Sequence, residues 1–258
     1  MTSIKSAFLI AAMAFAFAAV PGVLAQTANF TFDDQNGPAD AGSYPAGASF
    51  SFSVNLAFAP GGNVTNLDGL SYHFEQMSPL APFYFSITNR NATGSQFTSL
   101  QTPGLTYPQN MTPQNANDLG ALLPGLTGVG AGNYFIANLT VSIDPSAAAG
   151  TYIIENITSG AKTSVISDDQ GRTFGIPHTS YTVTVVTFAI SSVTQLANQH
   201  ILLQCKGVPS RVNRIEASPD LSPNSFQTIG SVTADASGAF PFEDTNPGTQ
   251  RFYRLAFP

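Results

Sequence analysis

Two short acidic stretches carry the side chains best suited to binding a metal ion. FDDQNGPAD contains Asp33 and Asp34, and SDDQGR contains Asp168 and Asp169. Carboxylates in glycine-containing turns supply the hard oxygen ligands that calcium prefers, although neither stretch has the EF-hand spacing. We predict weak calcium binding if the first strand and the later turn meet at one end of the fold. Ordinary aspartate turns are the alternative interpretation.

Tyrosines are the side chains best suited to sugar binding, because the chain has no tryptophan. A tyrosine ring offers a flat apolar surface with a polar tip, on which a sugar ring can stack. The candidate platforms are Tyr44, Tyr84 and Tyr107. Tyr84 alternates with Phe83 and Phe85 and therefore points away from them, and Tyr107 lies in a long loop. Half-buried packing is the alternative role for each ring.

Catalytic side chains form no recognisable motif. The sequence lacks a nucleophile elbow, a zinc-protease helix, a P-loop and a paired-cysteine motif. A glycosidase needs two carboxylates that face each other across the sugar, and the four glutamates are scattered along the chain. The leading prediction is therefore a non-catalytic protein. The alternative is a secreted hydrolase acting on polysaccharide, with its site under the loop 99–132.

The charge argues against two classes of partner, and the cysteine count excludes an intrachain disulfide. The formal net charge is −6, with 9 lysines and arginines against 15 acidic residues. Nucleic acid and anionic lipid need clustered basic side chains, so neither is expected as a partner. Cys205 is the single cysteine and cannot form an intrachain disulfide. Because it alternates with Leu203 and Ile201, we expect a buried thiol.

The first 25 residues predict a secretory signal peptide. Lys5 precedes the apolar run from Ala7 to Val20, and VLA before Gln26 provides the small residues that signal peptidase accepts. The run is shorter than the roughly 20 residues that a membrane-spanning helix needs. We therefore predict a protein that is secreted, either extracellular or at the cell surface, with no transmembrane segment after signal removal.

Alternating apolar and polar residues predict the elements that position these side chains. SFSFSVNLAF places five apolar side chains on one face, from Phe50 to Phe58. GLSYHFE, FYFSI, FIANLTVSI, TYIIENI and SYTVTVV repeat the pattern. Such short strands separated by turn residues are typical of an all-β sandwich. The interruption is the loop 99–132, which we interpret as a long crossover covering one end of the core. One short helix over 115–122 is the alternative interpretation of part of this loop.

A second group of short strands follows the sandwich. We predict a sandwich domain over 26–188 and a small C-terminal β module over 189–258, with RFYRLAFP as its last strand. In that strand Tyr253, Leu255 and Phe257 should point inward, beside an antiparallel neighbour that carries Phe240 and Phe242.

Two parts of the chain resemble known protein families. The tail FQTIGSVTADASGAFPFEDTNPGTQRFYRLAFP resembles a C-terminal module of many secreted bacterial proteins of uncharacterised function, which implies a small immunoglobulin- or fibronectin-like β fold. Ala28 to Val186 resembles the cohesin and carbohydrate-binding-module type of β-sandwich in SFSFSVNLAF, LDGLSYHFE, YFIANLTVSIDPSAAAGTYIIENI and YTVTVV. With no catalytic motif to carry over, the leading hypothesis is a non-catalytic surface or extracellular-matrix protein whose sandwich binds a glycan or another protein. Because the tail resembles a module of many otherwise dissimilar secreted proteins, we expect it to serve export or surface retention, and a stabilising domain with no targeting role is the alternative.

Overall fold

The computed structural model describes residues 27–33, 41–61, 64, 66–78, 82–100, 109–111, 117–118, 120–124, 128–159, 163–222 and 224–257. The predicted signal peptide, Asp34 and Tyr107 lie outside these residues.

The described chain is all-β, as predicted, and its described residues contain no α-helix. It accordingly offers no helix that is long and apolar enough to cross a membrane. The strands are β1 (Thr27–Asp33), β2 (Ala41–Pro45), β3 (Ser49–Ala59), β4 (Leu67–Ser71), β5 (His73–Ser78), β6 (Phe85–Asn91), β7 (Thr98–Leu100), β8 (Gln109–Asn110), β9 (Asn117–Asp118), β10 (Gly120–Leu122), β11 (Gly132–Ile143), β12 (Gly150–Asn156), β13 (Val165–Asp168), β14 (Thr173–Gly175), β15 (Ser180–Val186), β16 (Ala189–Gln195), β17 (Ile201–Lys206), β18 (Val212–Ser218), β19 (Gln227–Thr233), β20 (Ala239–Asp244) and β21 (Phe252–Ala256).

Three sheets form the larger part of the molecule. The front sheet has the strand order β1-β3-β11-β6-β8, and the back sheet has the order β2-β15-β12-β5-β9. A side sheet has the order β14-β13-β4-β10-β7. Strand β2 runs parallel to β15, and the other pairs named here are antiparallel.

Aromatic rings fill the space between the front and back sheets. Phe32 and Phe52 of the front sheet meet Phe74 and Tyr181 of the back sheet, with ring centroids 5.9 Å apart for Phe32–Phe74 and 5.1 Å for Phe52–Tyr181. All four side chains are nearly inaccessible to solvent. The strict alternation of β3 makes this packing possible, because every second side chain points into the core. The two layers therefore form one sandwich around one core.

A β-bulge changes the facing of one predicted core residue. The register of β11 against β3 shifts between Phe135, opposite Asn55, and Ala137, opposite the buried Val54. Ile136 and Ala137 are consequently both buried, whereas Phe135 is half-buried on the outer face. The prediction that Phe135 shares the inner face with the later residues of the strand is wrong, because the bulge inserts an extra residue.

Two further predictions about single elements need correction. GLSYHFE is two strands, because the chain leaves the side sheet at β4 and enters the back sheet at β5, with Tyr72 fully buried between them. In the loop 99–132, the described residues within 115–122 form β9 and β10 and not a helix. β9 forms one edge of the back sheet and β10 lies between β4 and β7 in the side sheet, so tertiary pairing overrides the local sequence signal.

Strands β16 to β21 form what we call the small unit. Its described strands make two three-stranded sheets, β16-β17-β20 and β19-β18-β21. A second hydrophobic cluster lies between them and includes Leu203, Cys205 and Phe240. Cys205 is buried, as predicted, and burial raises the pKa of its thiol to about 11. The domain limits 26–188 and 189–258 stay a prediction.

The last strand pairs differently from the prediction. β21 lies beside β18, with Leu255 opposite Ile215, whereas β20 lies beside β17. The chain between β20 and β21 therefore crosses from one sheet to the other instead of forming a hairpin. Asp244 fixes this crossover, because its Oδ2 accepts hydrogen bonds from Arg251 at 2.6 Å and from Tyr253 at 2.9 Å. Tyr253 and Leu255 pack on the small core as predicted, but Phe257 packs against the sandwich core.

Candidate functional site

The outer face of the front sheet is the strongest candidate for a functional surface. Side chains alternate along a strand, so the residues between the buried ones of β3, β11 and β6 point outward. Most of these outward residues are short and uncharged, and we call the nine that form three rows of three across β3, β11 and β6 the polar face. They are Ser49, Ser51, Ser53, Ser86, Asn89, Asn91, Asn138, Thr140 and Ser142.

Strand register sets these side chains in rows across the sheet. Ser53 lies opposite Asn138, which in turn lies opposite Asn91. Ser53 Oγ donates a hydrogen bond of 2.6 Å to Asn138 Oδ1. In the next row the hydroxyls of Ser51 and Thr140 are hydrogen-bonded at 3.0 Å. The rows therefore form a connected surface of hydroxyl and amide groups.

The polar face is shallow and almost free of charge. A depression of about 270 Å³ lies over its centre, lined by side chains of β3, β6 and β11. The nearest acidic residue along the rows is Asp33 of β1, which is exposed and lies opposite Ser53. The hydroxyls of Ser51 and Thr140 bond to each other and not to a histidine or carboxylate. This surface can exchange hydrogen bonds with a partner, but it has no base to activate a nucleophile.

One predicted sugar platform is buried in the core, and a second is half-buried. Tyr44 is 1% exposed, and its ring stacks on Phe50 at 4.3 Å while its hydroxyl bonds to that of Tyr181 at 3.2 Å. The prediction that Tyr44 is a platform is wrong, because its apolar ring belongs to the core. Tyr84 is half-buried, with its ring perpendicular to that of Tyr152 at 5.6 Å. Tyr107 lies outside the described residues.

The predicted calcium ligands are divided between sheets. Asp33 is in the front sheet, whereas Asp168 ends β13 of the side sheet and Asp169 follows it. Asp168 is fully buried and ion-paired with Arg172 at 2.6 Å, and its Oδ1 accepts hydrogen bonds from the Gln170 and Arg172 amides. Burial alone would raise the pKa of Asp168, but these partners outweigh it and lower the pKa. Asp168 is a structural ion pair, which corrects its assignment as a calcium ligand.

Two glutamates that the sequence analysis treated as scattered are neighbours. Glu75 of β5 and Glu155 of β12 lie opposite each other on the outer face of the back sheet. Burial, and then the negative charge of Glu155, raises the pKa of Glu75. His178 Nε2 lies 2.8 Å from Glu155 Oε2. Each glutamate alternates with buried residues, so the sequence indicates that each points outward. The sequence contains no signal that the two strands pair with these glutamates opposite each other.

The small unit holds a larger cavity of about 630 Å³. It lies between the β16–β17 turn and the crossover that leads to β21. Five side-chain amides line it, from Gln195, Asn198, Gln199, Asn246 and Gln250. At one wall His200 Nδ1 lies 2.6 Å from Glu243 Oε1. The cavity is therefore a polar site with many hydrogen-bonding groups.

No protein-family model and no curated protein matches this chain. Similar solved structures include a cohesin module from a family 33 glycoside hydrolase of Clostridium perfringens, at 10% identity and a TM-score of 0.41, covering 62% of this chain and 98% of the module. The cohesin CaCohA2 of Clostridium acetobutylicum has 13% identity and a TM-score of 0.40 over 62% of this chain and 90% of its own. The major pilin subunit BcpA of Bacillus cereus has 7% identity and a TM-score of 0.35, covering 84% of this chain and 56% of the pilin. At this level of similarity, the partners and activities of those proteins do not transfer to this chain.

Proposed function

We propose that this protein is a secreted, non-catalytic binding module whose polar face docks on another protein. The observation that carries the proposal is the cluster of nine uncharged hydroxyl and amide side chains in register on one flat sheet face. Protein interfaces are depleted in charged residues at their centre and use about one hydrogen bond per 100–200 Å². The polar face offers that chemistry, and the half-buried Phe135 at one end adds an aromatic contact.

A protein suits this face better than a sugar. A sugar site on a sheet depends on an exposed ring that stacks on the sugar, and Tyr44 is withdrawn into the core. The polar face itself carries hydroxyls and amides but no tyrosine. Its short side chains also lose little conformational entropy when a partner orders them.

Site-directed cross-linking in the producing cell tests the proposal. A photoreactive residue placed at Thr140 in the centre of the face should capture one defined protein, and the matched position Thr184 on the back sheet should not. The purified partner should then bind the unmodified chain and bind a Ser51→Arg variant at least tenfold more weakly. Capture from Thr184 as strong as from Thr140, or unchanged binding of Ser51→Arg, contradicts the proposal. Glycan-array binding that Ser51→Arg abolishes would replace the protein partner by a glycan.

The proposal includes a role of the small unit in export or surface retention. Its support is the amide-lined cavity, whose side chains offer hydrogen bonds to a second partner. An Asn198→Ala, Gln250→Ala double variant should lower the amount of protein retained at the cell surface. Thr228→Ala, on the exposed part of β19, is the matched control. Unchanged retention of the double variant would leave the small unit as a stabilising domain.

A polysaccharide hydrolase is the second candidate function, and the Glu75–Glu155 pair favours it. Two carboxyls that lie opposite each other, one of them with a raised pKa, match the electrostatic arrangement of an acid/base pair. The pair lies beside β9, which belongs to the loop 99–132. Hydrolysis of polysaccharide by the purified protein, abolished in Glu75→Gln and in Glu155→Gln, would establish this function in place of the first. Activity that survives both substitutions would remove this pair from consideration.

A further inference from the structure

A second group of carboxylates lies in the side sheet, around the start of β4. Asp168 at the end of β13 pairs in register with Leu67, so the turn that carries Asp169 lies beside Asn66, two residues before Asp68. Asp68 is 6% exposed, and its Oδ1 is buried without a hydrogen-bond partner among the described residues. Asp169 Oδ1 is also buried and unpartnered there.

This arrangement is costly unless a positive charge offsets it. A buried carboxylate that lacks partners loses its hydration without compensation. The negative charges of Asp169 and Asp168 act on Asp68 and add to this cost. Arg172 binds Asp168 through both Nε and Nη2, and this ion pair offsets the charge of Asp168. Asp68 and Asp169 each keep one buried carboxylate oxygen without a hydrogen-bond partner among the described residues.

The surrounding backbone holds these carboxylates in place. Asn66 Nδ2 donates a hydrogen bond of 2.9 Å to Asp169 Oδ2, which leaves Oδ1 as the free oxygen. Gly128, with φ of 62°, packs against both side chains, and a Cβ added there would lie 2.5 Å from Asn66 Cβ and 3.2 Å from Asp169 Cβ. Leu67 and Val129 lock this approach with two backbone hydrogen bonds of 2.7 Å.

We propose that Asp68 and Asp169 are the protein ligands of a calcium ion, with Asn66 positioning Asp169. Calcium accepts six to eight oxygen ligands, and water molecules complete such a shell. Among the described residues no group of three or more His, Cys, Asp or Glu side chains is arranged to hold a metal, and Asp168 is ion-paired with Arg172, so the site has two carboxylates. Two carboxylates correspond to a weak site, with a dissociation constant on the order of 10⁻⁴–10⁻³ M. This site moves the calcium prediction away from Asp33.

Thermal unfolding of the full mature chain with and without calcium tests the site. Calcium at 10 mM should raise the melting temperature of the unmodified protein by about 3 °C, by mass action at a site of roughly millimolar affinity. Asp68→Asn and Asp169→Asn should lose this shift. Asp33→Asn is the matched control, since it removes a carboxylate from the exposed front-sheet position, and it should keep the shift.

The melting temperature without calcium provides a second readout, which remains informative if a variant is less stable. In chelator, Asp68→Asn should melt at or above the temperature of the unmodified protein, because the substitution removes an uncompensated buried charge. Calorimetric titration at 25 °C should show calcium binding that Asp68→Asn abolishes. No calcium shift in the unmodified protein, or a shift that persists in both Asp68→Asn and Asp169→Asn, overturns the inference.

Discussion

Ser53 Oγ donates a hydrogen bond of 2.6 Å to Asn138 Oδ1 across β3 and β11, at the centre of the outer face of the front sheet. The bond satisfies part of the polar face internally and fixes the asparagine side chain before any partner arrives. Such pre-organisation lowers the entropy cost of association, because fewer rotamers must be ordered on binding. The same rigidity makes the face sensitive to a single bulky substitution.

Binding through the polar face should depend little on salt. The nine residues carry no charge, and Asp33 is the nearest acidic group along their rows. Raising the ionic strength from 0.05 to 0.5 M screens charge–charge attraction but leaves neutral hydrogen bonds nearly unchanged. The dissociation constant of the cross-linked partner should change by less than about threefold. A tenfold loss, measured by surface plasmon resonance, would mean that charged residues outside the polar face carry the binding.

Replacing Phe52 should destabilise the sandwich strongly. Phe52 is 1% exposed and its ring contacts those of Phe32 at 5.3 Å and Tyr181 at 5.1 Å. Truncation to alanine leaves a cavity between the sheets, and Phe52→Ala should lower the free energy of unfolding by about 3–5 kcal/mol. Ser51→Ala, next in sequence but exposed, should change it by no more than about 0.5 kcal/mol. Urea unfolding measures both, and equal losses would contradict the assigned facing of β3.

Acid should weaken the small unit through Asp244. Burial alone would raise the pKa of Asp244, but bonds from the Asn246 amide, Arg251 and Tyr253 outweigh it, and the pKa lies below its ordinary value. A lowered pKa adds stability that is present above pH 4 and is lost as the pH falls through the folded-state pKa. Asp244→Asn should therefore be less stable than the unmodified protein at pH 7, by about 1–3 kcal/mol. The difference should shrink below pH 4, and a constant difference between pH 7 and pH 2 would contradict this role.

Phe257 should hold the small unit against the sandwich. Its ring lies 6.3 Å from that of Tyr44 and 6.4 Å from that of Phe188, both edge to face. Phe257→Ala should leave both cores folded but speed proteolytic cleavage near Phe188, between β15 and β16. Phe226→Ala is the matched control, because Phe226 packs under Arg254 within the small unit. Equal cleavage rates of the two variants would show that Phe257 does not join the units.

Local patterns predicted most of the residues that face the core, with Phe135 and Tyr44 as exceptions. The five apolar side chains of β3 are all buried, and Leu70, Tyr72 and Phe74 are buried as well, although the chain changes sheets between them. Alternation reports the direction of a side chain relative to its own strand, and burial then follows from the hydrophobic effect.

Pairing between distant strands could not be predicted in the same way. The Glu75–Glu155 pair, the rows of the polar face and the β18–β21 pairing all depend on register, which no short stretch of sequence encodes. The β-bulge at Phe135 could not be predicted either, because the extra residue leaves no signal in the residue types of the strand. Asp68 could not be identified as a candidate ligand from the sequence, because its carboxylate becomes one only through its position near Asp169 in the fold.

Binding of a protein by the polar face is tested most directly by the affinity of one variant for the partner. Thr140→Arg introduces a long charged side chain into the middle of the rows, while Thr184→Arg makes the same change on the outer face of the back sheet. With the partner identified by cross-linking, Thr140→Arg should raise the dissociation constant at least tenfold and Thr184→Arg should leave it within twofold. Equal affinity for the two variants would contradict the claim.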